Sequence, residues 1–222
     1  MSARRDLDEL FARKRAFVSL EARDPALSAR LRELRSWQGA RLARTYADLR
    51  EDPRYARAVA FFLSDLYAPH DFTLRDRQLE QAAASLNRAM PQALLDILSA
   101  ALELEVLSVE LDHAMVPQLG STAVQESSYA AAYRTLGRRA DRTRQIDLTV
   151  SIGSQLERVV RLRWLGLALR AAHVPAHLAG LAELQDFLER GWAAFRSLPS
   201  PARLLEIIRA RETELMNTLL RG

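Results

Sequence analysis

Three side chains of one predicted helix have the types and the spacing of metal ligands. Glu110 and His113 lie three residues apart, and Glu103 precedes Glu110 by about two helical turns. A carboxylate and an imidazole at this spacing share one helical face, and di-iron carboxylate bundles use two such motifs together with further glutamates. No other histidine has an acidic residue three positions before it. Glu103, Glu110 and His113 are therefore candidate metal ligands without a second matching motif.

A second group of polar side chains lies at a proline turn between two predicted helices. Pro69 disfavours helical backbone at the residue before it, so the first helix should end near Tyr67, and Thr73 can cap the second. The candidate ligand-binding residues of this corner are Tyr67, His70, Asp71, Arg75 and Asp76. We favour the alternative of a packed hinge, in which Phe72 is buried and Asp71 satisfies backbone donors.

Charge is distributed unevenly along the chain. The net charge is only +4, and Lys14 is the one lysine among 32 basic residues. Residues 91–126 carry six acidic residues and no arginine or lysine, whereas residues 134–170 carry nine arginines against three acidic residues. Because arginine forms two-point contacts with carboxylates, this pattern predicts internal ion pairs. Glu103 or Glu110 should then face an arginine of the later helices.

The same arginine segment could instead contact nucleic acid. Arg134, Arg138 and Arg142 are spaced as a helical stripe, and Tyr129 and Tyr133 lie nearby for stacking. The sequence contains no helix-turn-helix or other recognised nucleic-acid-binding motif. Nucleic-acid binding through residues 134–170 is therefore the second alternative for function, after a ligand or metal site between the helix at 91–116 and the corner at 67–76.

Motifs of the common enzyme classes are absent from the sequence. It has no phosphate-binding glycine loop, no dinucleotide fingerprint and no nucleophile elbow. It has no cysteine, which removes disulfides and thiolate chemistry and fits a cytoplasmic protein. His173 and His177 flank Pro175, so we expect a turn and a helix start there rather than a shared helical face. These observations favour a binding or interaction protein without a cofactor over an enzyme.

Hydrophobic periodicity predicts an all-α fold. About eight or nine helices, joined by short loops and without strands, should form a single-domain bundle over residues 1–222, and the helix at 4–20 is a candidate peripheral element. Asp-Pro and Ser-Pro pairs predict helix starts at Pro25, Pro53 and Pro201. Breaks are expected near Gly137 and Gly153, and no apolar run is long enough to cross a bilayer.

The last predicted helix has apolar residues on two sides. Leu204–Leu205, Ile207–Ile208 and Leu219–Leu220 are adjacent pairs, so the members of each pair point to different sides of the helix. One side could form a homodimer interface. The alternative is that the N-terminal helix, with Leu7 and Phe11, covers this surface within the same chain.

Residues 61–76 read F-F-L-S-D-L-Y-A-P-H-D-F-T-L-R-D. This segment resembles the pattern F-F-L-x-D-L-Y-G-P-x-D-F-x-x-R-D of an uncharacterised, mainly proteobacterial family. The resemblance extends through residues 104–112, 152–153, 159–161, 175–181, 184–191 and 211–212. Ala68 stands where that family has glycine. The resemblance implies one bacterial, helical domain and carries no activity, substrate or cofactor. Abundant arginine, alanine and leucine also fit a GC-rich bacterial genome.

Overall fold

The chain is helical almost throughout. The structure is a computed structural model that describes the backbone of residues 2–66, 73–86 and 91–221, and the side chains of these ranges apart from residues 2–6, 66, 73, 75–76 and 83–86. Within these ranges there are eleven α-helices and one π-helical turn, and no β-strand. Nine of the α-helices have seven or more residues. The predicted all-α bundle of about eight or nine helices is confirmed.

The helices follow one another with short connections. They are α1 (Ser2–Arg23), α2 (Pro25–Thr45), α3 (Ala47–Glu51), α4 (Ala56–Phe61), the π-helical turn (Phe62–Leu66), α5 (Thr73–Leu86), α6 (Gln92–Leu119), α7 (Glu126–Leu136), α8 (Arg139–Val160), α9 (Arg163–Leu178), α10 (Ala182–Arg196) and α11 (Pro201–Arg221). No helix in the described ranges is long and apolar enough to cross a membrane.

Two of the three helix starts predicted from proline are confirmed. α2 begins at Pro25 and α11 at Pro201, and the Asp24 carboxylate accepts a hydrogen bond from the Leu27 N–H at 3.0 Å. The predicted start at Pro53 is wrong. There the Asp52 carboxylate accepts the N–H of Arg54 at 2.9 Å and closes a local turn, so α4 begins only at Ala56.

Helix α6 lies at the centre of the bundle. It packs against α1, α2, α7 and α8. Leu102, Val106, Leu111 and Met115 of α6 are almost completely buried. The helix predicted at 91–116, with apolar residues on two sides, corresponds to α6. Its neighbours explain that pattern, because a helix packed on several sides needs more than one apolar face.

Both apolar sides of α11 are covered within the chain. Leu204 is buried with Ile207 and Ile208 packed beside it, and Met216 is buried in a second cluster with Leu219 and Leu220 around it. α8 and α7 are the main neighbours of α11.

The alternative considered from the sequence, in which the N-terminal helix covers α11, does not hold. α1 packs against α6 and α2, where Leu7 and Phe11 meet Leu95 and Leu102. Its apolar residues therefore complete the core around α6.

The two glycines that predicted helix breaks behave differently. Gly137 has φ +64° and ends α7, as expected. Gly153 lies inside the continuous helix α8, so the predicted break there is wrong. A Cβ atom at Gly153 would lie 2.4 Å from Cδ2 of Leu205, so the glycine allows α8 and α11 to approach closely.

Candidate functional site

Most of the predicted corner site lies outside the described residues. This applies to Tyr67, His70 and Asp71, and also to Phe72 of the predicted hinge. Arg75 and Asp76 belong to α5, but their side chains are not described. The ligand site at this corner therefore stays a prediction.

Glu103 and Glu110 of α6 form ion pairs with arginines. Arg144 of α8 donates two hydrogen bonds to Glu103, at 2.7 and 2.8 Å. The predicted pairing of Glu103 or Glu110 with an arginine of the later helices is therefore confirmed for Glu103. Glu110 instead pairs with Arg13 of α1. The two candidate metal ligands thus have separate cationic partners on different helices.

The Arg144–Glu103 pair should contribute little to stability. The two side chains are 53% and 38% exposed, and exposed pairs contribute less than about 1 kcal/mol. A double-mutant cycle with Arg144→Ala and Glu103→Ala, followed by urea unfolding, should give a coupling free energy within this limit. Salt should reduce the coupling further, because it screens exposed charges. A coupling above about 2 kcal/mol that is insensitive to salt would contradict this expectation.

His113, the third candidate metal ligand, belongs to a part-buried polar network between α1, α2 and α6. Its Nε2 lies 3.0 Å from Oε1 of Glu21. Arg35 donates hydrogen bonds to both Glu21 oxygens, at 2.9 and 3.0 Å, and a third to Asp112 at 3.2 Å. Gln38 donates to the other Asp112 oxygen at 3.0 Å. His113 is therefore not brought together with Glu103 and Glu110.

Burial acts to raise the pKa of both carboxylates of this network, but their net pKa shifts have opposite directions. It raises the pKa of Asp112, and the hydrogen bond from Gln38 and the charge of Arg35 offset only part of that rise. Burial also acts to raise the pKa of Glu21, but hydrogen bonds from Arg35 and His113 outweigh it, and the net shift is downward. The polar side chains of this network hydrogen-bond to one another, which is typical of a structural network.

The arginine stripe predicted for nucleic-acid binding is not formed. Gly137 separates α7, which carries Arg134, from α8, which carries Arg142. Tyr129 and Tyr133 are buried, at 4% and 7% exposure, so their rings are not available for base stacking. The guanidinium of Arg142 lies 4.6 Å from the centre of the Tyr133 ring. Here Tyr133 packs against an arginine of the same bundle.

The sequence did not predict that two histidines pair on α9, because Pro175 lies between them and indicated a turn. The turn predicted around it is wrong, since α9 continues through Pro175 to Leu178. Proline near the end of a helix removes a single backbone hydrogen bond, and here the helix continues past it for less than one turn. The ring centres of His173 and His177 are 4.3 Å apart. The spacing i, i+4 was therefore the relevant signal, and the two imidazoles do share a helical face.

Helix α10 adds two carboxylates to the histidine pair. Oδ1 of Asp186 lies 3.0 Å from Nε2 of His177, and Oε1 of Glu189 lies 3.0 Å from Nδ1 of His173. One ligand atom each from His173, His177 and Asp186 lie within 4.8 Å of one another. We name these three residues and Glu189 the α9–α10 cluster. Its residues are half-exposed, so they can exchange protons or ions with solvent.

A buried glutamine, Gln185, fixes the position of Glu189. Gln185 is buried, at 5% exposure, and its Nε2 donates to the Leu169 carbonyl at 2.7 Å and to Oε1 of Glu189 at 2.8 Å. The hydrogen bond from Gln185 is the main reason why the pKa of Glu189 is lowered, with a smaller contribution from His173. Gln185 therefore ties the α9–α10 cluster to the backbone of α9.

The outer face of α9 is apolar and exposed. Trp164, Leu167, Val174 and Leu178 are 54%, 60%, 63% and 85% exposed. Their spacing places them on one side of the helix, and we name them the α9 stripe. Arg163 and Arg170 are also exposed and lie along one edge of the stripe, and α9 contains no acidic residue. The helix thus presents an apolar surface with a basic edge.

The described residues define the class of protein, which is an all-α helical bundle with one exposed amphipathic helix. The chain belongs to the family described as a domain of unknown function, DUF8198, whose model matches residues 18–222. The expectation that the chain belongs to an uncharacterised family is therefore confirmed, and the segment at 61–76 lies within the matched range. Neither the curated proteins nor the solved structures contain a significant match to the chain.

Proposed function

We propose that the protein binds another protein through the α9 stripe. The observation that supports this proposal most directly is the exposure of four large apolar side chains on one helical face, from 54% at Trp164 to 85% at Leu178. Burying one such side chain at an interface contributes about 1.5–3 kcal/mol. Contiguous apolar patches on a protein surface commonly mark interaction sites. This function requires no catalytic group.

The basic edge of α9 indicates the chemistry of the partner. Arg163 and Arg170 flank the stripe, and no acidic side chain on α9 neutralises them. A complementary partner is an amphipathic helix with an apolar face and acidic residues along its edge. A second copy of this chain fits less well. Two α9 helices packed face to face and antiparallel would bring their arginine edges together, and like charges would repel.

Two synthetic helical peptides provide a direct test. Both have the same leucine face, and one carries glutamate and the other lysine along its edge. We expect the glutamate peptide to bind and the lysine peptide not to bind, as measured by fluorescence anisotropy. Leu167→Glu and Val174→Glu should each weaken binding by about tenfold or more, because each removes a buried apolar contact. Higher salt should weaken binding further.

The matched control is Leu20→Glu on α1. Leu20 is 47% exposed, which is similar to the stripe residues, but it lies on a different helix. This substitution should leave peptide binding unchanged. Equal binding of both peptides would contradict the acidic-edged partner. Binding only to anionic lipid vesicles would indicate a membrane surface instead. A dimer that dissociates on Leu167→Glu substitution would indicate self-association through α9, whereas the homodimer considered from the sequence used α11.

The broader assignments are part of the same proposal. We propose that residues 1–222 act as one helical domain, which the packing of α1 against α6 supports. A bacterial, cytoplasmic setting is supported by the arginine-rich composition and the absence of cysteine.

A further inference from the structure

We infer that the α9–α10 cluster binds one divalent transition-metal ion, with His173, His177 and Asp186 as ligands and Zn²⁺ as a suitable ion. This inference goes beyond the proposed protein-binding function and does not depend on it. It rests on the position of three ligand atoms within 4.8 Å of one another, supplied by two neighbouring helices.

The ligand types fit a transition metal rather than calcium or magnesium. Two imidazoles and one carboxylate form a set that zinc and related ions accept, whereas Ca²⁺ and Mg²⁺ prefer oxygen ligands alone. Histidines at i and i+4 of a helix present their rings to the same ion, as His173 and His177 do here. Three protein ligands leave a further position for water.

The separation between the helices also fits an ion. Zinc bonds of about 2.1 Å, at angles between a right angle and the tetrahedral value, separate neighbouring ligand atoms by roughly 3.0–3.4 Å. Nε2 of His177 and Oδ1 of Asp186 are 3.0 Å apart. An ion can therefore replace the hydrogen bond between these two atoms with only small side-chain movements.

Glu189 is a positioning residue for His173. Its Oε1 lies 3.0 Å from Nδ1 of His173, and Gln185 holds the carboxylate from the other side at 2.8 Å. An ion at Nε2 of His173 would leave both contacts in place. Carboxylates that accept the second imidazole proton in this way orient metal-bound histidines and increase their basicity.

A simple pair of histidine–carboxylate hydrogen bonds would account for the 3.0 Å contacts alone. The cluster goes beyond two separate hydrogen-bonded pairs, because a ligand atom of His173 also lies within 4.8 Å of the ligand atoms of His177 and Asp186. A metal ion between them would take one unprotonated nitrogen from each ring. The bound ion would also fasten the C-terminal half of α9 to the N-terminal half of α10.

The test is zinc binding by the full chain without a histidine tag. After removal of metal with a chelator and dialysis, titration with Zn²⁺ against a chromophoric indicator should show one ion per chain. His177→Ala and Asp186→Asn should each abolish this stoichiometric binding. Glu189→Gln should weaken it by about 10–100-fold, which is the range for outer partners of metal ligands. Co²⁺ in place of Zn²⁺ should give a visible absorption spectrum that reports nitrogen and oxygen ligands.

His113→Ala is the matched control. His113 also has a carboxylate at 3.0 Å, from Glu21, but among the described residues it belongs to no group of three candidate ligands. This variant should bind zinc like the unmodified chain. Circular dichroism should show full helicity in the His177→Ala and Asp186→Asn variants, since both side chains are more than a third exposed. Absence of stoichiometric binding, or binding that survives His177→Ala undiminished, would overturn the inference.

Discussion

Replacing Arg35 by alanine should lower the free energy of unfolding by about 3 kcal/mol. Arg35 is the common cation of Glu21 and Asp112, whose side chains are only 21% and 11% exposed. Its removal leaves two carboxylates in a part-buried site without their charge partner. Removing one partner of a buried pair costs about 3–5 kcal/mol, and the 30% exposure of Arg35 places it at the lower end of that range. Urea denaturation measures the change directly.

Arg13→Ala provides the comparison for this prediction. Arg13 also links α1 to α6, through Glu110, but it is 46% exposed. Its removal should cost less than about 1 kcal/mol. Equal effects of the two substitutions would mean that burial does not determine the contribution of these ion pairs, and the structural interpretation of the Arg35 network would then fail.

The Arg35→Ala effect should also depend on pH in a defined direction. In the native protein the pKa of Glu21 is lowered, so its ion pair stabilises the fold above the ordinary glutamate pKa and ceases to do so as the pH falls through the lowered value. The pKa of Asp112 is raised by burial, so its ionisation opposes folding as the pH rises. Once both carboxyl groups are protonated they carry no charge, so the positive charge of Arg35 no longer stabilises them. The difference between the variant and the native protein should therefore shrink mainly as the pH falls below about 4.5, the ordinary glutamate value, because native Glu21 stays ionised above it.

Replacing Leu34 by alanine should cost about 2–5 kcal/mol. Leu34 is fully buried, and it packs in one cluster with Met115, Tyr133 and Met216 from three other helices. The substitution removes buried carbon atoms and leaves a cavity, because helices held on several sides close only part of the gap. Thermal and urea unfolding should both report the loss.

Leu20→Ala is the control for Leu34→Ala. Leu20 is 47% exposed on α1, and truncating an exposed leucine usually changes stability by less than about 0.5 kcal/mol. A cost below about 1 kcal/mol for Leu34→Ala would show that this cluster does not hold α2, α6, α7 and α11 together as the structure indicates.

Local chemistry explains the parts of the fold that the sequence predicted correctly. The starts at Pro25 and Pro201 and the end at Gly137 depend on a cap, a fixed proline φ or a left-handed glycine, all within a few residues. Gly153 and Pro53 were misjudged for the opposite reason. The role of Gly153 is set by Leu205 of another helix, and at Pro53 the side chain of Asp52 closes a competing turn.

The candidate site depended on contacts that no local pattern encodes. Asp186 and Glu189 meet the two histidines only because α10 folds back against α9. Periodicity reports which face of a helix is apolar but not which helix will cover it. The stripe on α9 therefore drew no prediction, and the apolar residues of α11 were considered as a homodimer interface. In the structure the α9 stripe is exposed, and both apolar sides of α11 are covered.

The close approach at Gly153 has an evolutionary consequence. A methyl group at this position would overlap Leu205 of α11, so neither residue can change freely while the other stays as it is. We expect the two positions to covary among related sequences, with a larger residue at 153 accompanied by a smaller one at 205. Substitutions at positions 153 and 205 would then occur in pairs. The distance between α8 and α11 would stay the same while both residues change.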